Sequence, residues 1–203
     1  MKIRNYVTHP KKSLEEAIAV LKQGGVIAHP TDTVWGFAAD AENQKAVQKI
    51  HALKKSAARK QMLWNLPSKA WLDRVGKKLC KAHKLARKFW PGALSLIIQA
   101  KKGGTLGVRY PAHLLSNKLA RSFGKPLITT SANLKNNPPA RSANEIVKIF
   151  RRQKIKPDLI LDDAAQGKGQ PSTIVDVSTK EVQLIREGAV TFKAIRQALS
   201  PRS

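Results

Sequence analysis

Apolar and polar positions change their spacing repeatedly along the chain, and those changes predict its elements. Leu14, Ala17, Ile18 and Leu21 recur at helical spacing behind Ser13-Leu-Glu-Glu16, which reads as a capping box, and Gly24-Gly25 stops that helix. Val26 to His29 is a short apolar run of strand type. Ala46, Val47, Ile50 and Leu53 predict a helix over residues 43 to 53. A polar, basic loop from Lys54 to Lys60 follows, then a strand through Met62, Leu63 and Trp64. Ser68 is placed to cap a helix that buries Trp71, Leu72 and Val75. Residues 77 to 89 are amphipathic, with Leu79, Ala82, Leu85, Ala86 and Phe89 on one face and Lys77, Lys81, Lys84 and Lys88 on the other. Pro91-Gly92 ends that stretch.

Leu94 to Ile98 and Leu106 to Arg109 read as strands around the turn Lys101-Lys-Gly-Gly104, and Leu114 to Phe123 as a helix. A strand then starts at Lys125, and a Pro/Asn loop covers Leu134 to Ala140. Ser142-Ala-Asn-Glu145 is a second capping box, opening a helix to about Phe150. Asp158 to Leu161, Ile174 to Val177 and Val182 to Ile185 are further strands, with a Gly-rich loop over 166–170, and Thr191 caps a closing helix. Helices and strands alternate without repeats or a long linker, which predicts one α/β domain with a mixed sheet over residues 1–203.

Two of the strands end in small polar side chains. Lys125-Pro-Leu-Ile-Thr-Thr-Ser-Ala-Asn133 runs from apolar Leu127 and Ile128 into Thr129, Thr130, Ser131 and Asn133. Gly25 to Gly36 has the same design, with Thr31 and Thr33 after its apolar part. Ligands in open α/β sheets sit beyond strand ends, so the two hydroxyl clusters point to one shared polar pocket. Trp35 and Trp90, next to glycine turns in apolar segments, are expected in the core or the pocket wall.

Composition changes the picture chiefly through charge. A hydrophobic content of 42% suits a globular chain of 203 residues, and Cys80 alone cannot build a disulfide framework. No apolar run approaches the roughly 20 residues that cross a bilayer, and Met1-Lys-Ile-Arg-Asn-Tyr-Val lacks the apolar centre of a secretory signal. The expectation is a cytoplasmic protein with no membrane partner. Lys and Arg number 38 against 13 acidic residues, a net charge of +25, which favours contact with polyanions and nucleic acid above all.

Several chemistries lack their motifs. There is no Walker A loop, no G-x-G-x-x-G and no G-x-S-x-G. His9, His29, His51, His83 and His113 show no metal-ligand spacing, so no protein-held metal is expected. What remains is cations and hydroxyls. Lys54, Lys60, Arg109 and Arg186 flank strand ends or turns, and such groups bind phosphate or carboxylate and stabilise charge developing in phosphoryl or nucleotidyl transfer. The Lys77, Lys81, Lys84 and Lys88 stripe is either a solvated helix face or an RNA phosphate contact. Lys148, Arg151, Arg152, Lys154 and Lys156 form a second basic cluster with the same two readings.

The order of the landmarks is more informative than any one of them. Pro30-Thr-Asp-Thr-Val-Trp-Gly36, Ala52-Leu-Lys54, Phe89-Trp-Pro-Gly92, Val108-Arg109 with Pro111, Ser131-Ala-Asn133, Pro171-Ser-Thr173 and Arg186-Glu-Gly188 together resemble the YrdC/Sua5 family of L-threonylcarbamoyladenylate synthases, over nearly the whole chain. The resemblance implies a twisted mixed sheet flanked by helices, with a concave basic face. It also implies a reaction, in which ATP, bicarbonate and L-threonine give threonylcarbamoyl-AMP and pyrophosphate, with Mg²⁺ accompanying ATP. The product would pass to tRNA threonylcarbamoyltransferase components for t6A modification of adenosine 37 in tRNA.

By the same resemblance Lys54, Ser131 and Asn133 match three members of a catalytic K-x-R…S-x-N tetrad. Thr31, Thr33, Lys60, Arg109, Ser172, Thr173 and Arg186, with Thr130 beside Ser131, match ATP- and substrate-binding positions. The chain departs from the family at Ser56, where the tetrad has arginine; Ser56 is no substitute for a bidentate guanidinium, and Lys55 and Arg59 are the nearby cations. The usual Lys-Pro-Leu is also altered, to Lys60-Gln-Met62. Two alternatives therefore stay open: a non-catalytic relative that grips tRNA or double-stranded RNA, and a paralogue acting on another carbamoyl-type substrate.

Overall fold

A computed structural model describes residues 1–56, 62–78, 80–164 and 170–200. In chain order the elements are β1 (Lys2–Asn5), α1 (Pro10–Lys22), β2 (Ile27–His29), β3 (Gly36–Asp40), α2 (Gln44–Lys54), β4 (Leu63–Asn65), α3 (Trp71–Val75) and α4 (Cys80–Phe89). They continue with β5 (Leu94–Gln99), β6 (Thr105–Arg109), α5 (Leu114–Phe123), β7 (Leu127–Ser131), α6 (Ala143–Phe150), β8 (Leu159–Asp162), β9 (Thr173–Asp176), β10 (Gln183–Arg186) and α7 (Phe192–Leu199). The strands form one ten-stranded sheet in the order β1-β8-β2-β3-β7-β4-β6-β5-β9-β10. β8 pairs in parallel with β1 and β2, β6 with β4, and β9 with β5, while the other pairs are antiparallel. The expected mixed sheet flanked by helices is present. Among the described residues no helix is long and apolar enough to cross a membrane.

Both faces of the sheet are covered, which explains why its central strands are apolar throughout rather than alternating. In β3, Phe37 and Ala39 join a cluster with Trp35, Ile50 and Phe150, beneath α2 and α6. Ala38 between them points to the opposite cluster of Leu21, Leu119 and Leu127, beneath α1 and α5. A third cluster, including Leu85, Leu96, Val108 and Ile195, lies where α4 and α7 pack. Trp35 and Trp90 are both buried, as their setting predicts.

Three expectations about element starts need correction. α1 begins at Pro10 with His9 as N-cap, because proline is preorganised for the first helical turn. Ser13 is therefore inside the helix, and its hydroxyl donates to the Asn5 carbonyl (3.0 Å) rather than capping. Ala70, not Ser68, precedes α3; Ser68 contributes only its carbonyl, to Trp71 N–H. α4 begins at Cys80, so Lys77 is not on that helix: its N–H bonds to the Gln99 carbonyl (2.9 Å) beside the Gly76–Ala100 bridge. Other caps behave as their side chains predict. Ser142 accepts from Glu145 N–H (3.2 Å) and Thr191 from Ala194 N–H (3.3 Å). β1 and β3 are strands that the hydropathy pattern did not reveal. Leu79 lies outside the described residues.

Candidate functional site

The sheet order brings polar strand ends together. β7 lies between β3 and β4, with Ser131 opposite Gly36 and Leu127 opposite Asn65, and β4 runs parallel to β6 so that Asn65 sits level with Arg109. A Cβ on Gly36 would lie 3.1 Å from the Thr130 carbonyl, so glycine lets these two strands meet closely there. Beside them is a cavity of about 420 Å³, whose walls include Thr31, Thr33, Asn65, Arg109, Ser131 and Arg186. It occupies the strand-end position from which ligands are usually bound in such sheets.

One wall is built around Arg109, only 6% exposed. Its Nε donates to the Gly92 carbonyl (3.0 Å), Nη1 to Thr33 Oγ1 (3.1 Å) and Nη2 to Asp32 Oδ1 (2.6 Å). Asp32 also accepts from Ala112 N–H (2.9 Å), so both of its oxygens are used. Thr31 Oγ1 donates to the Val34 carbonyl (2.7 Å), accepts from Thr33 N–H (3.1 Å), and thereby shapes the loop. Burial lowers the pKa of Arg109; Asp32 counteracts this, and the positive field of Arg186 adds to the lowering. Arginine nevertheless remains charged at any physiological pH.

Arg186, more exposed, donates through Nη2 (2.8 Å) and Nε (3.2 Å) to the Ser172 carbonyl, while Ser172 Oγ meets Ser95 Oγ at 3.0 Å. Partial burial lowers the Arg186 pKa as well. Two guanidiniums that repel one another beside one cavity favour an anion there.

The opposite wall is a closed network. Lys54, at the end of α2, donates to the Ser131 carbonyl (2.6 Å) and to Asn133 Oδ1 (2.7 Å), with Ser131 Oγ at 3.3 Å. Ser131 Oγ donates to Asn133 Oδ1 (2.6 Å), and Asn133 Nδ2 donates to the carbonyls of Leu134 (2.8 Å) and Asn137 (2.6 Å). Because its proton is spent on Asn133, Ser131 faces the cavity as an acceptor. Lys54 stands behind this wall and braces it.

Of the expected site residues, Thr31, Thr33, Arg109, Thr130, Ser131, Asn133, Ser172 and Arg186 line this one cavity. Thr173 does not. It is fully buried, and its hydroxyl accepts from Gly188 N–H (2.9 Å) and Val190 N–H (3.1 Å) while donating to the Val190 carbonyl. Thr173 thus fastens the loop after β10, where a Cβ on Gly188 would come within 2.2 Å of the Pro171 carbonyl. Lys60 and Arg59 lie outside the described residues. Ser56 Oγ lies 3.3 Å from His51 Nδ1, at the end of α2. The lysines of the α4 stripe take no part in this cavity. Lys84 borders a separate groove between α3 and α4, and Lys81 donates to the Lys180 carbonyl.

Asn65 is a pocket residue that the sequence reading missed. It is 4% exposed, and its Oδ1 has no hydrogen-bond partner among the described residues. Buried amide oxygens are nearly always satisfied, so this unpaired one at the cavity wall stands out from the rest of the site. Its signal was a polar residue closing an apolar strand, as at Ser131. His29, behind the threonine loop, is fully buried; burial and the nearby His113 lower its pKa to about 4, so it is neutral.

The Sua5/YciO/YrdC family model, described as telomere recombination, matches residues 19–188. The chain is 30% identical to the threonylcarbamoyl-AMP synthase of Bacillus subtilis strain 168, over 93% of this chain and 57% of that protein. It thus spans little more than half of that relative's length. It is 34% identical to the threonylcarbamoyl-AMP synthase of Stenotrophomonas maltophilia strain K279a, over 84% of this chain and 96% of that one. The crystal structure of P. abyssi Sua5 complexed with L-threonine superposes with a TM-score of 0.84 at 27% identity, over 92% of this chain and 57% of that one.

Proposed function

The chain belongs to the Sua5/YciO/YrdC family, and from that premise we propose that it joins L-threonine, bicarbonate and ATP into threonylcarbamoyl-AMP, releasing pyrophosphate. The observation that carries the reading is the cavity itself, with Arg109 and Arg186 on one side and Ser131, braced by Lys54 and Asn133, on the other. In the first step the threonine amine attacks the carbon derived from bicarbonate, and water is lost to leave a carbamate. A carbamate oxygen then attacks the α-phosphorus, and the bond to the bridging oxygen breaks with its electron pair leaving on pyrophosphate. Arg109 and Arg186 would hold the phosphate oxygens as negative charge shifts towards the leaving group. The acceptor atom Ser131 Oγ suits the amine or hydroxyl of the amino acid.

Mg²⁺ enters with ATP as part of the substrate. Among the described residues no group of three His, Cys, Asp or Glu side chains could cage it, and Asp32 is committed to Arg109 and Ala112. The product would be consumed by a transferase acting on tRNA adenosine 37. The test is pyrophosphate release from MgATP and bicarbonate, with and without L-threonine. Release that depends on threonine supports the synthase; release without it, or none from folded protein, refutes it. One observation favours a second reading, a non-catalytic RNA binder: Ser56 replaces the family arginine, and its hydroxyl is next to His51.

A further inference from the structure

The charge of the molecule has a specific concentration away from the reaction cavity. A groove of about 470 Å³ runs between α3 and α4, bordered by Lys69, Lys78, Lys84 and Arg87, with Leu72 and Ala86 also contributing to its lining. It shares no lining residue with the cavity that holds Arg109 and Arg186. Between residues 69 and 88 the single acidic side chain is Asp73, already 3.1 Å from His83 Nε2. None of the four bordering cations has a carboxylate partner among the described residues.

These cations do not hold the helix in place. α4 packs through Ala82, Leu85 and Ala86, which are buried, and Lys84 and Arg87 are exposed three residues apart, a like-charge spacing that weakens a helix. Lys77 lies outside α4 and Lys81 donates to the Lys180 carbonyl, which leaves Lys84 and Arg87 as the α4 cations that border the groove.

We propose that the α3–α4 groove is a seat for the phosphodiester backbone of a structured RNA. Cations just before α3 (Lys69), between α3 and α4 (Lys78) and on α4 (Lys84, Arg87) suit a line of phosphates, and duplex backbones present closely spaced negative charge along their length. A net charge of +25 supplies long-range attraction to the same ligand. Contacts of this kind read backbone and shape rather than base sequence. The proposal goes beyond the synthase reading and does not depend on it.

The test uses the full chain and an unmodified tRNA transcript, with affinity followed by fluorescence anisotropy across a salt series. The variant is Lys78→Gln, Lys84→Gln and Arg87→Gln combined; the comparison variant is Lys148→Gln, Arg151→Gln and Arg152→Gln combined. Losing three phosphate contacts should lower the slope of log affinity against log salt by about 3, while the comparison variant keeps the wild-type slope. Lys84→Glu alone should weaken binding several-fold, which keeps the test decisive if the triple variant folds poorly. Absence of RNA binding by the wild type overturns the proposal. So does an unchanged slope in the groove variant. Displacement of the tRNA by polyglutamate at equal charge concentration would instead identify an acidic protein as the occupant, and would also overturn it. Threonine-dependent pyrophosphate release, measured alongside, should be unchanged by the groove substitutions, so the two readings fail separately.

Discussion

Lys54→Met is the most informative single substitution, because it separates bracing of the wall from direct contact with a ligand. Methionine keeps the length and apolar stem of the lysine but removes the ammonium that bonds to the Ser131 carbonyl at 2.6 Å and to Asn133 Oδ1 at 2.7 Å. Hydrogen bonds from charged groups contribute about 1.5–3 kcal/mol each. Ser131 and Asn133 border the cavity, so water can partly replace the lost donor, and the lower end applies: about 3 kcal/mol for the pair. For a chain of this size that corresponds to a melting temperature lower by about 6–12 °C. Calorimetric unfolding measures it directly, and pyrophosphate release on the same sample reports the reaction. The wall should lose its geometry, so turnover falls while saturation with ATP changes less. A melting temperature within about 2 °C of wild type would refute the bracing argument, since those bonds would then contribute nothing net.

Three further outcomes follow from particular side chains. His29 has its pKa lowered from 6.5 to about 4, so the unfolded chain takes up a proton that the folded chain refuses, and stability falls as pH drops from about 6.5 to about 4. The loss reaches about 3 kcal/mol at the lower limit, and His29→Phe should flatten that part of a stability–pH profile; an unchanged slope would show the proton goes elsewhere. Thr173→Val removes the acceptor for Gly188 and Val190 N–H and should cost about 1–3 kcal/mol in urea unfolding. Its expected signature is weaker ATP saturation, through the displaced Arg186 loop, at nearly normal turnover, and a pure fall in turnover would instead mean ligand contact. Ser56→Arg restores the family cation and should raise turnover or lower the threonine requirement several-fold; no change would mean another cation already supplies that charge.

Legibility followed the range of the interaction. α5 was readable from end to end, because helical periodicity is a local property; the structure adds Gly124, at φ 80°, as its C-cap. The Ser142 and Thr191 caps were readable for the same reason. Ser13 misled because a serine before two glutamates looks like a cap whether or not a proline three residues earlier has already started the helix. β3 escaped notice because both of its faces are buried, which removes the polar alternation that marks a strand. β1 escaped for the opposite reason: it lies at a sheet edge and is mostly exposed, with little apolar content to detect.

The site divides along the same line. From the sequence alone came the family resemblance, the strand ends rich in hydroxyls, and arginines placed to meet an anion. Such features depend on residue type and order, and neither needs a distant partner to be seen. Only the tertiary structure decided what each polar atom is free to do. Lys54 reaches Ser131 across 77 residues of chain, and Arg109 reaches Asp32 across the same separation. Thr173 and Thr31 both looked like pocket residues, yet one is used up on the Gly188 loop and the other borders the cavity. Asn65 looked like nothing until its amide oxygen was found buried without a partner. A hydrogen-bonding group's role depends on what remains of its capacity once the fold has closed around it, and that remainder is set by contacts that no local stretch of sequence contains.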